Sequence, residues 1–153
     1  MLPPQVHVAE SSATSDPVGA RIVVLSGEIG ALITKTSRHF ANREIQDALI
    51  ATWQLIARAN QYVDQTAPFK LAKDPAQAKR LDEVLYNLAE CCRIIAVLLL
   101  PVLPGTSAKI FEQLNLSASS TQTIANLKWG ELAEGHQIGQ PAPLFPRKDL
   151  QKP

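Results

Sequence analysis

The stretch ARANQYVDQTAPFKLAKD, residues 57–74, decides how this chain folds. A periodic apolar pattern leads into it, stops at Pro68, and a second such pattern begins after Asp74. Because the residue before a proline is disfavoured in the α region, this corner predicts the end of one helix and the start of another. Two interpretations of Phe69 stay open, a satellite-core residue or an aromatic ring presented to a partner.

Apolar residues at steps of three and four predict helices on both sides of this corner. We expect a first helix over about 18–40, a second over about 43–63 and a third over about 75–100, with Asp74 as its N-cap. Thr106 is expected to cap a short fourth helix. The expected buried positions are Ile22, Leu25, Ile29, Ile33, Thr36 and Phe40, then Ile45, Leu49, Thr52, Ile56, Ala59 and Val63, then Leu81, Leu85, Leu88, Cys92, Ile95 and Leu99.

The chain of 153 residues, 46% of them hydrophobic, is long enough for one domain with a core. Residues 1–20 are rich in Pro, Ser and Thr and are expected to be irregular. Residues 21–116 are expected to form the helical bundle. In 117–150 the Gly and Pro content prevents a long helix and predicts an extended tail. The predicted fold is therefore all-α, a bundle of about four helices with an irregular C-terminal tail packed on it.

Composition excludes several classes of protein. The net charge is +1, so no global field directs the chain to nucleic acid or membrane. The apolar run 94–103 is too short to span a bilayer, and no signal peptide is recognisable, so a soluble, cytoplasmic protein is expected. Cys91 and Cys92 are adjacent on a helix, which suits neither a disulfide nor a metal site, and buried reduced thiols are expected.

No known catalytic motif occurs in the sequence. GxGxxG, GxxxxGK[ST], GxSxG and HExxH are all missing. His7, His39 and His136 lie far apart, and none has a carboxylate or cysteine at metal-ligand spacing. We therefore expect no catalytic residue, no metal site and no cofactor in this chain.

A row of basic and polar side chains occupies one face of the first predicted helix. It consists of Lys35, Arg38, His39, Asn42 and Arg43, and we call it the basic stripe. No carboxylate lies within residues 29–43. An ordinary solvated face and a phosphate-binding face both fit this spacing. An exposed Phe69 would add a stacking surface for an unpaired base, and the combination would suit an RNA loop.

Several ordered segments resemble the anticodon-binding domain of methionyl-tRNA synthetases. They are ALIATWQLIARANQYVDQTAPFKLAK, LDEVLYNLAECCRIIAVLLLPVLPGTSAKIFEQLNL and, in the tail, Trp129-Gly130, Gly135-His136 and LFPR at 144–147. The resemblance covers about residues 25–148. It implies a helical bundle that binds the CAU anticodon of tRNA(Met). The synthetases for isoleucine, valine, leucine and cysteine share the bundle type, but not this combination of segments.

The resemblance also implies roles for particular residues. The family's base-stacking tryptophan falls on Phe69, and its first-helix readers fall near Lys35 and His39. Asn60 is expected near the site, and Tyr62 and Asp64 are expected to brace the corner. The implied RNA-binding residues are Lys35, Arg38, His39, Asn60 and Phe69. Trp129 and Phe145 are expected to pack on the bundle or on a catalytic neighbour.

The family's catalytic signatures H-I-G-H and K-M-S-K-S do not occur in these 153 residues. The resemblance places ATP and methionine on the catalytic domain that carries them, so the expected partners are the tRNA(Met) anticodon loop and that domain. Whether the chain belongs to an enzyme stays open, but it is not expected to be catalytic by itself. An alternative function is a synthetase-derived protein-interaction module that no longer reads RNA.

Overall fold

Helices account for most of the residues that the structure describes. The structure is a computed structural model that describes the backbone of residues 17–117 and 123–148 and the side chains of 24–117 and 123–148. The helices are α1 (Pro17–Ala41), α2 (Ile45–Thr66), α3 (Pro68–Leu71), α4 (Ala78–Leu99) and α5 (Pro104–Gln113), with 3₁₀ turns at Pro75–Gln77 and Ile124–Asn126. No strand occurs in these ranges, and the predicted all-α class is confirmed.

Helices α1 and α2 form an antiparallel hairpin, and α4 packs against α2 and α5. Two cross-links, Lys35 to Gln54 and Glu28 to Arg58, show the antiparallel direction of the hairpin. Apolar side chains from α1, α2, α4 and α5 meet between the helices, and Leu127 of the tail joins them. The buried cluster comprises Leu25, Ile29, Ile33, Leu55, Ala59, Tyr62, Val84, Cys91, Ile94, Ala96, Val97, Leu98, Phe111 and Leu127.

The predicted buried faces of α2 and α4 are only partly right: Thr52, Ala59 and Leu99 are buried as predicted, whereas other core positions lie one residue away from the predicted ones, a rotation of about 100° about the helix axis. Leu85 and Cys92 were expected in the core but are exposed, whereas Val84 and Cys91 are buried. On α2, Ile45 is exposed and the buried residues are Ala48, Ala51, Thr52, Leu55, Ala59, Tyr62 and Thr66. The prediction for α1 is confirmed at Leu25, Ile29, Ile33 and Thr36; Phe40 is only half-buried, and the side chain of Ile22 lies outside the described residues.

Helix starts also differ from the predictions. Helix α1 begins at Pro17, inside the segment expected to be irregular, whereas residues 1–16 lie outside the described chain. Helix α5 begins at Pro104, so Thr106 lies in its first turn and is not its cap. Proline suits a first helical position because the missing N–H would lack an intrahelical partner there. Asp74 caps the 3₁₀ turn Pro75–Gln77 rather than α4, since its Oδ1 accepts a 3.0 Å bond from the N–H of Ala76 and α4 itself begins at Ala78.

A buried ion pair on α4 holds the tail against the bundle. Glu90 and Arg93 are 0% and 1% exposed and form two hydrogen bonds, of 2.8 and 2.6 Å. Oε1 of Glu90 also accepts hydrogen bonds from the backbone N–H groups of Gly130 and Glu131, at 2.7 and 3.0 Å. Arg93 donates to the carbonyl of Lys128 at 2.7 Å and lies 3.2 Å from the Glu131 carboxylate. The tail therefore satisfies the hydrogen-bonding groups of the buried pair.

Further hydrogen bonds fix the tail along α4 and α5. The Tyr86 hydroxyl donates to the carbonyl of Leu132 at 2.7 Å, and Nε2 of His136 lies 2.5 Å from the carbonyl of Leu114. Since a carbonyl only accepts, that ring nitrogen carries the proton. The N–H of Gly139 donates to the carbonyl of Gln113 at 2.8 Å. A Cβ on Gly139 would lie 3.1 Å from the carbonyl oxygen of Glu112, so a side chain there would require the backbone to shift by a few tenths of an ångström.

The aromatic residues of the tail behave differently. Trp129 is partly buried against the core cluster, as expected, whereas Phe145 is 74% exposed. Phe145 therefore does not pack on the bundle, and its packing on a catalytic neighbour stays a prediction.

Burial raises the pKa of the Cys91 thiol to about 12. Within the described chain, no helix has the length and apolar character needed to cross a membrane.

We predict that Glu90→Ala destabilises the protein by about 3–5 kcal/mol, because it removes the buried partner of Arg93 and the acceptor of the Gly130 and Glu131 N–H groups. Glu83→Ala is the matched control. It breaks an i,i+3 ion pair in which the side chains of Arg80 and Glu83 are 21% and 44% exposed. Because such a solvated pair is weak, we expect the free energy of unfolding to fall by at most about 1 kcal/mol. Urea unfolding followed by circular dichroism measures both values. Equal losses in the two variants would contradict a structural role for the buried pair.

Candidate nucleic-acid interface

The corner after α2 presents Phe69 to solvent. Ala67 adopts a left-handed conformation with φ 45° and ψ 60°, and its N–H bonds to the carbonyl of Val63 at 2.8 Å. Pro68 then begins the one-turn helix α3, which the sequence pattern did not predict. The Phe69 side chain is 61% exposed, and an aromatic ring in that position offers a face for stacking.

Tyr62 fixes this corner to α4. Its side chain is 0% exposed, and its hydroxyl accepts a 3.2 Å bond from the Asn87 side chain. Burial raises the pKa of the Tyr62 hydroxyl, so it stays protonated at neutral pH. Thr66 donates to the carbonyl of Tyr62 at 2.7 Å. The expected bracing role is confirmed for Tyr62, whereas Asp64 is an exposed surface residue.

Asn60 and three lysines lie close to the corner along the chain. Asn60 is exposed on α2, six residues before its last residue, which is about 9 Å along the helix. Lys70, Lys73 and Lys79 follow Phe69 in sequence and are all exposed. We call Lys70 and Lys73, which follow Phe69 within four residues, the corner lysines. Sequence reasoning missed them because charges after a turn look like an ordinary solvated surface.

The basic stripe lies at the other end of the α1–α2 hairpin. The Lys35 ammonium is 3.4 Å from the Gln54 side-chain oxygen, and Gln54 lies 12 residues before Thr66. At the rise of an α-helix these 12 residues extend for about 18 Å along α2. The structure therefore does not bring Lys35, Arg38 and His39 together with Phe69 in one pocket. An RNA that touches both regions must span at least this distance.

His39 belongs to a hydrogen-bonded helix end. The N–H of Glu44 donates to the carbonyl of His39 at 2.9 Å, and the N–H of Arg43 donates to the carbonyl of Phe40 at 3.1 Å. Arg43 lies in the left-handed region, with φ 64°. This is the Schellman pattern at a helix C-terminus. In that pattern the side chain of the third residue from the helix end, here His39, contacts the side chain of the second residue beyond the cap, here Glu44. Here that contact is a 2.6 Å hydrogen bond between Nδ1 of His39 and the Glu44 carboxylate.

The expectation that no histidine has a carboxylate at ligand spacing is wrong for His39. Ligand atoms of His39, Glu44 and Asp47 lie within 4.8 Å of one another. Glu44 and Asp47 are both exposed, and the Schellman turn already accounts for the meeting of His39 and Glu44. The two carboxylates also reduce the positive potential of the basic stripe, which looks uncompensated in the sequence.

Comparisons with known proteins agree with this architecture. The family described as the anticodon binding domain of methionyl tRNA ligase matches residues 14–151. This chain belongs to that family, and the resemblance found in the sequence is confirmed.

Individual relatives are methionine–tRNA ligases. That of Caldanaerobacter subterraneus is 43% identical over 118 residues, which are 77% of this chain and 18% of the relative. That of Bacillus subtilis is 44% identical over 112 residues, 72% of this chain and 17% of the relative. The apo methionyl-tRNA synthetase of Mycobacterium tuberculosis has a similar structure, with a TM-score of 0.71 at 25% identity over 94% of this chain and 28% of that one. The chain thus spans less than a fifth of the length of the two ligases.

We predict that Arg43→Gly stabilises the protein by up to about 1 kcal/mol, because a left-handed φ suits glycine better than any residue with a Cβ. Arg38→Gly is the control, an equal loss of one positive charge within helical α1. It should destabilise by roughly 1 kcal/mol. Thermal unfolding measures both changes, and a lower melting temperature for Arg43→Gly would contradict the strain at this turn.

Proposed function

We propose that this chain is a tRNA anticodon-binding module that serves methionyl-tRNA formation. The observation that carries the proposal is the exposed ring of Phe69 on a corner braced by Tyr62 and followed by the corner lysines. Unpaired bases are recognised by stacking on aromatic rings together with polar and cationic contacts. Membership of the anticodon-binding family supports the same assignment.

In this proposal the corner contacts the unpaired bases of the CAU anticodon of tRNA(Met). Phe69 supplies the stacking face, and Asn60 supplies an amide that can donate to or accept from a base edge. Phenylalanine has no N–H to donate, unlike tryptophan, so Phe69 contributes stacking rather than a directional hydrogen bond. The corner lysines would contact phosphates, and Lys35, Arg38 and His39 would contact the RNA farther from the anticodon.

Aminoacylation would require a further domain that binds ATP and methionine, either in the same polypeptide or as a partner. The matching segments make up only 18% and 17% of the two ligases, which leaves ample chain for such a domain. The alternative function, a protein-interaction module without RNA reading, predicts that the corner variants described next leave RNA binding unchanged.

We predict that Phe69→Ala weakens binding of a tRNA(Met) anticodon stem-loop by roughly 1–3 kcal/mol, the usual contribution of one base–aromatic stack. Stability should change little, because the ring is 61% exposed. Phe145→Ala is the matched control, an exposed aromatic ring on the tail that should not affect binding. Fluorescence anisotropy at fixed salt measures the affinity. Loss of folding in Phe69→Ala, without a specific loss of affinity, would contradict the assignment.

Phe69→Trp tests base reading separately from affinity. The indole restores an N–H donor at this position, so preference for the cognate stem-loop over one with a swapped anticodon should rise. An unchanged preference would place Phe69 outside the base-reading position.

The salt dependence of binding tests the two groups of cations. Replacing both corner lysines by alanine should reduce the slope of log K against log salt by about one unit for each phosphate that is no longer neutralised. We expect this with a single-stranded anticodon-loop oligonucleotide as well as with the stem-loop. The double variant Lys35→Ala, Arg38→Ala should reduce the slope more with the stem-loop than with the oligonucleotide, because the stem adds phosphates away from the corner and about 18 Å of α2 separates the basic stripe from the corner. The reverse pattern would place the loop at the basic stripe.

A further inference from the structure

The middle of α2 carries no charge but exposes large apolar side chains. Residues 48–57, ALIATWQLIA, contain no charged side chain, and Thr52 and Gln54 are their only polar ones. Ala48, Ala51 and Leu55 are buried in the bundle, yet Ile50 and Trp53 are 48% and 56% exposed. The apolar side chains of a surface helix normally face the core. In this structure α2 also exposes apolar side chains on the opposite side.

The exposed side chains form a continuous strip. Ile50, Trp53 and Ala57 stand at steps of three and four on one side of α2, and all three are exposed. We call these three residues the outer face of α2. Helix α1 lies beside it rather than over it, since α1 reaches α2 through Gln54 and Arg58. The strip has the spacing at which a helix presents anchors to another helix.

The chemistry of the outer face favours polypeptide over RNA. Nucleic-acid surfaces rely on cations for most of their affinity, and the outer face contains none. The Lys35 ammonium, which reaches α2 from α1, contacts Gln54 rather than Trp53. A large aromatic ring beside an isoleucine and a small alanine is typical of the dry centre of a protein–protein contact.

We propose that the outer face of α2 is the docking surface for an apolar helix from the remaining polypeptide of a methionyl-tRNA synthetase. The proposal rests on the proposed function, in which this module works beside a catalytic domain. It also rests on the comparisons, because the similar fold in the Mycobacterium tuberculosis enzyme accounts for 28% of a longer chain. Further polypeptide is therefore available to cover α2 in proteins of this family. The docking helix would present apolar residues at i, i+3 or i+4, and i+7, with Trp53 as the central anchor.

A chimera tests the proposal. Residues 14–151 of this chain replace the matching segment of the Caldanaerobacter subterraneus ligase, and hydroxyl-radical footprinting with mass spectrometry follows Trp53 and Phe69. Trp53 is 56% exposed in the free chain, so burial in a docked contact should lower its labelling about fivefold. Phe69 is the internal control. It should stay labelled in the chimera and become protected only when tRNA(Met) is added.

Each remaining outcome has a defined meaning. Equal labelling of Trp53 in the free chain and the chimera overturns the proposal. Protection of Trp53 by RNA in the free chain makes the outer face an RNA surface and also overturns it. Protection that grows with protein concentration, together with dimers in sedimentation velocity, identifies a second copy as the occupant and overturns it as well. Phe69 left unprotected by tRNA counts against the proposed function alone.

A second measurement on the free chain does not depend on the chimera. Trp53→Ser should change the melting temperature by no more than about 2 °C, since an exposed side chain contributes little to folding. Leu55→Ser, close by in sequence on the buried face, is the control and should lower it strongly. A Trp53→Ser loss as large as that of Leu55→Ser would show the outer face already covered within this chain, and the proposal would fail.

Discussion

The ion pair between Glu90 and Arg93 determines how the two parts of this molecule fit together. Two opposite charges without solvent contact are stable only when their remaining donors and acceptors are satisfied. On α4 alone they are not, and the missing partners are backbone groups of Lys128, Gly130 and Glu131. Gly130 can turn into this position because its φ of 83° suits glycine. The tail therefore completes the core instead of merely covering it.

The same pair explains why the register of α4 was predicted wrongly. From sequence, Glu90 and Arg93 look like solvated charges, which pushes the apolar face toward Leu85, Leu88 and Cys92. The structure turns Val84, Cys91 and Ile94 inward together with the charges. The end of α2 was more predictable, because Pro68 acts through local sterics. Local rules thus gave the four longer helices and the fold class, whereas register depended on partners 35 to 41 residues away.

In the candidate site too, local features could be predicted from the sequence, whereas features that depend on distant parts of the chain could not. The proline corner is local and could be predicted, but the sequence left open whether Phe69 is a satellite-core residue or faces a partner. Its 61% exposure favours the second interpretation. The position of His39 was not accessible in this way. Its meeting with Glu44 requires Arg43 in a left-handed conformation, which an arginine seldom adopts. The distance between the basic stripe and the corner likewise depends on the antiparallel pairing of α1 and α2, which no single segment specifies.

Helix α2 connects these features mechanically. Its 22 residues extend for about 33 Å, and they carry the core face, the outer face and the corner with Phe69 on one rigid rod. The Tyr62–Asn87 bond ties the end of that rod to α4, the helix that also holds the tail through Glu90. In the proposed arrangement a polypeptide docked on Trp53 is therefore held at a fixed distance from the base-stacking ring. Because α2 has no proline or glycine within it to act as a hinge, the orientation of a bound anticodon relative to the docked domain would be set by α2 itself.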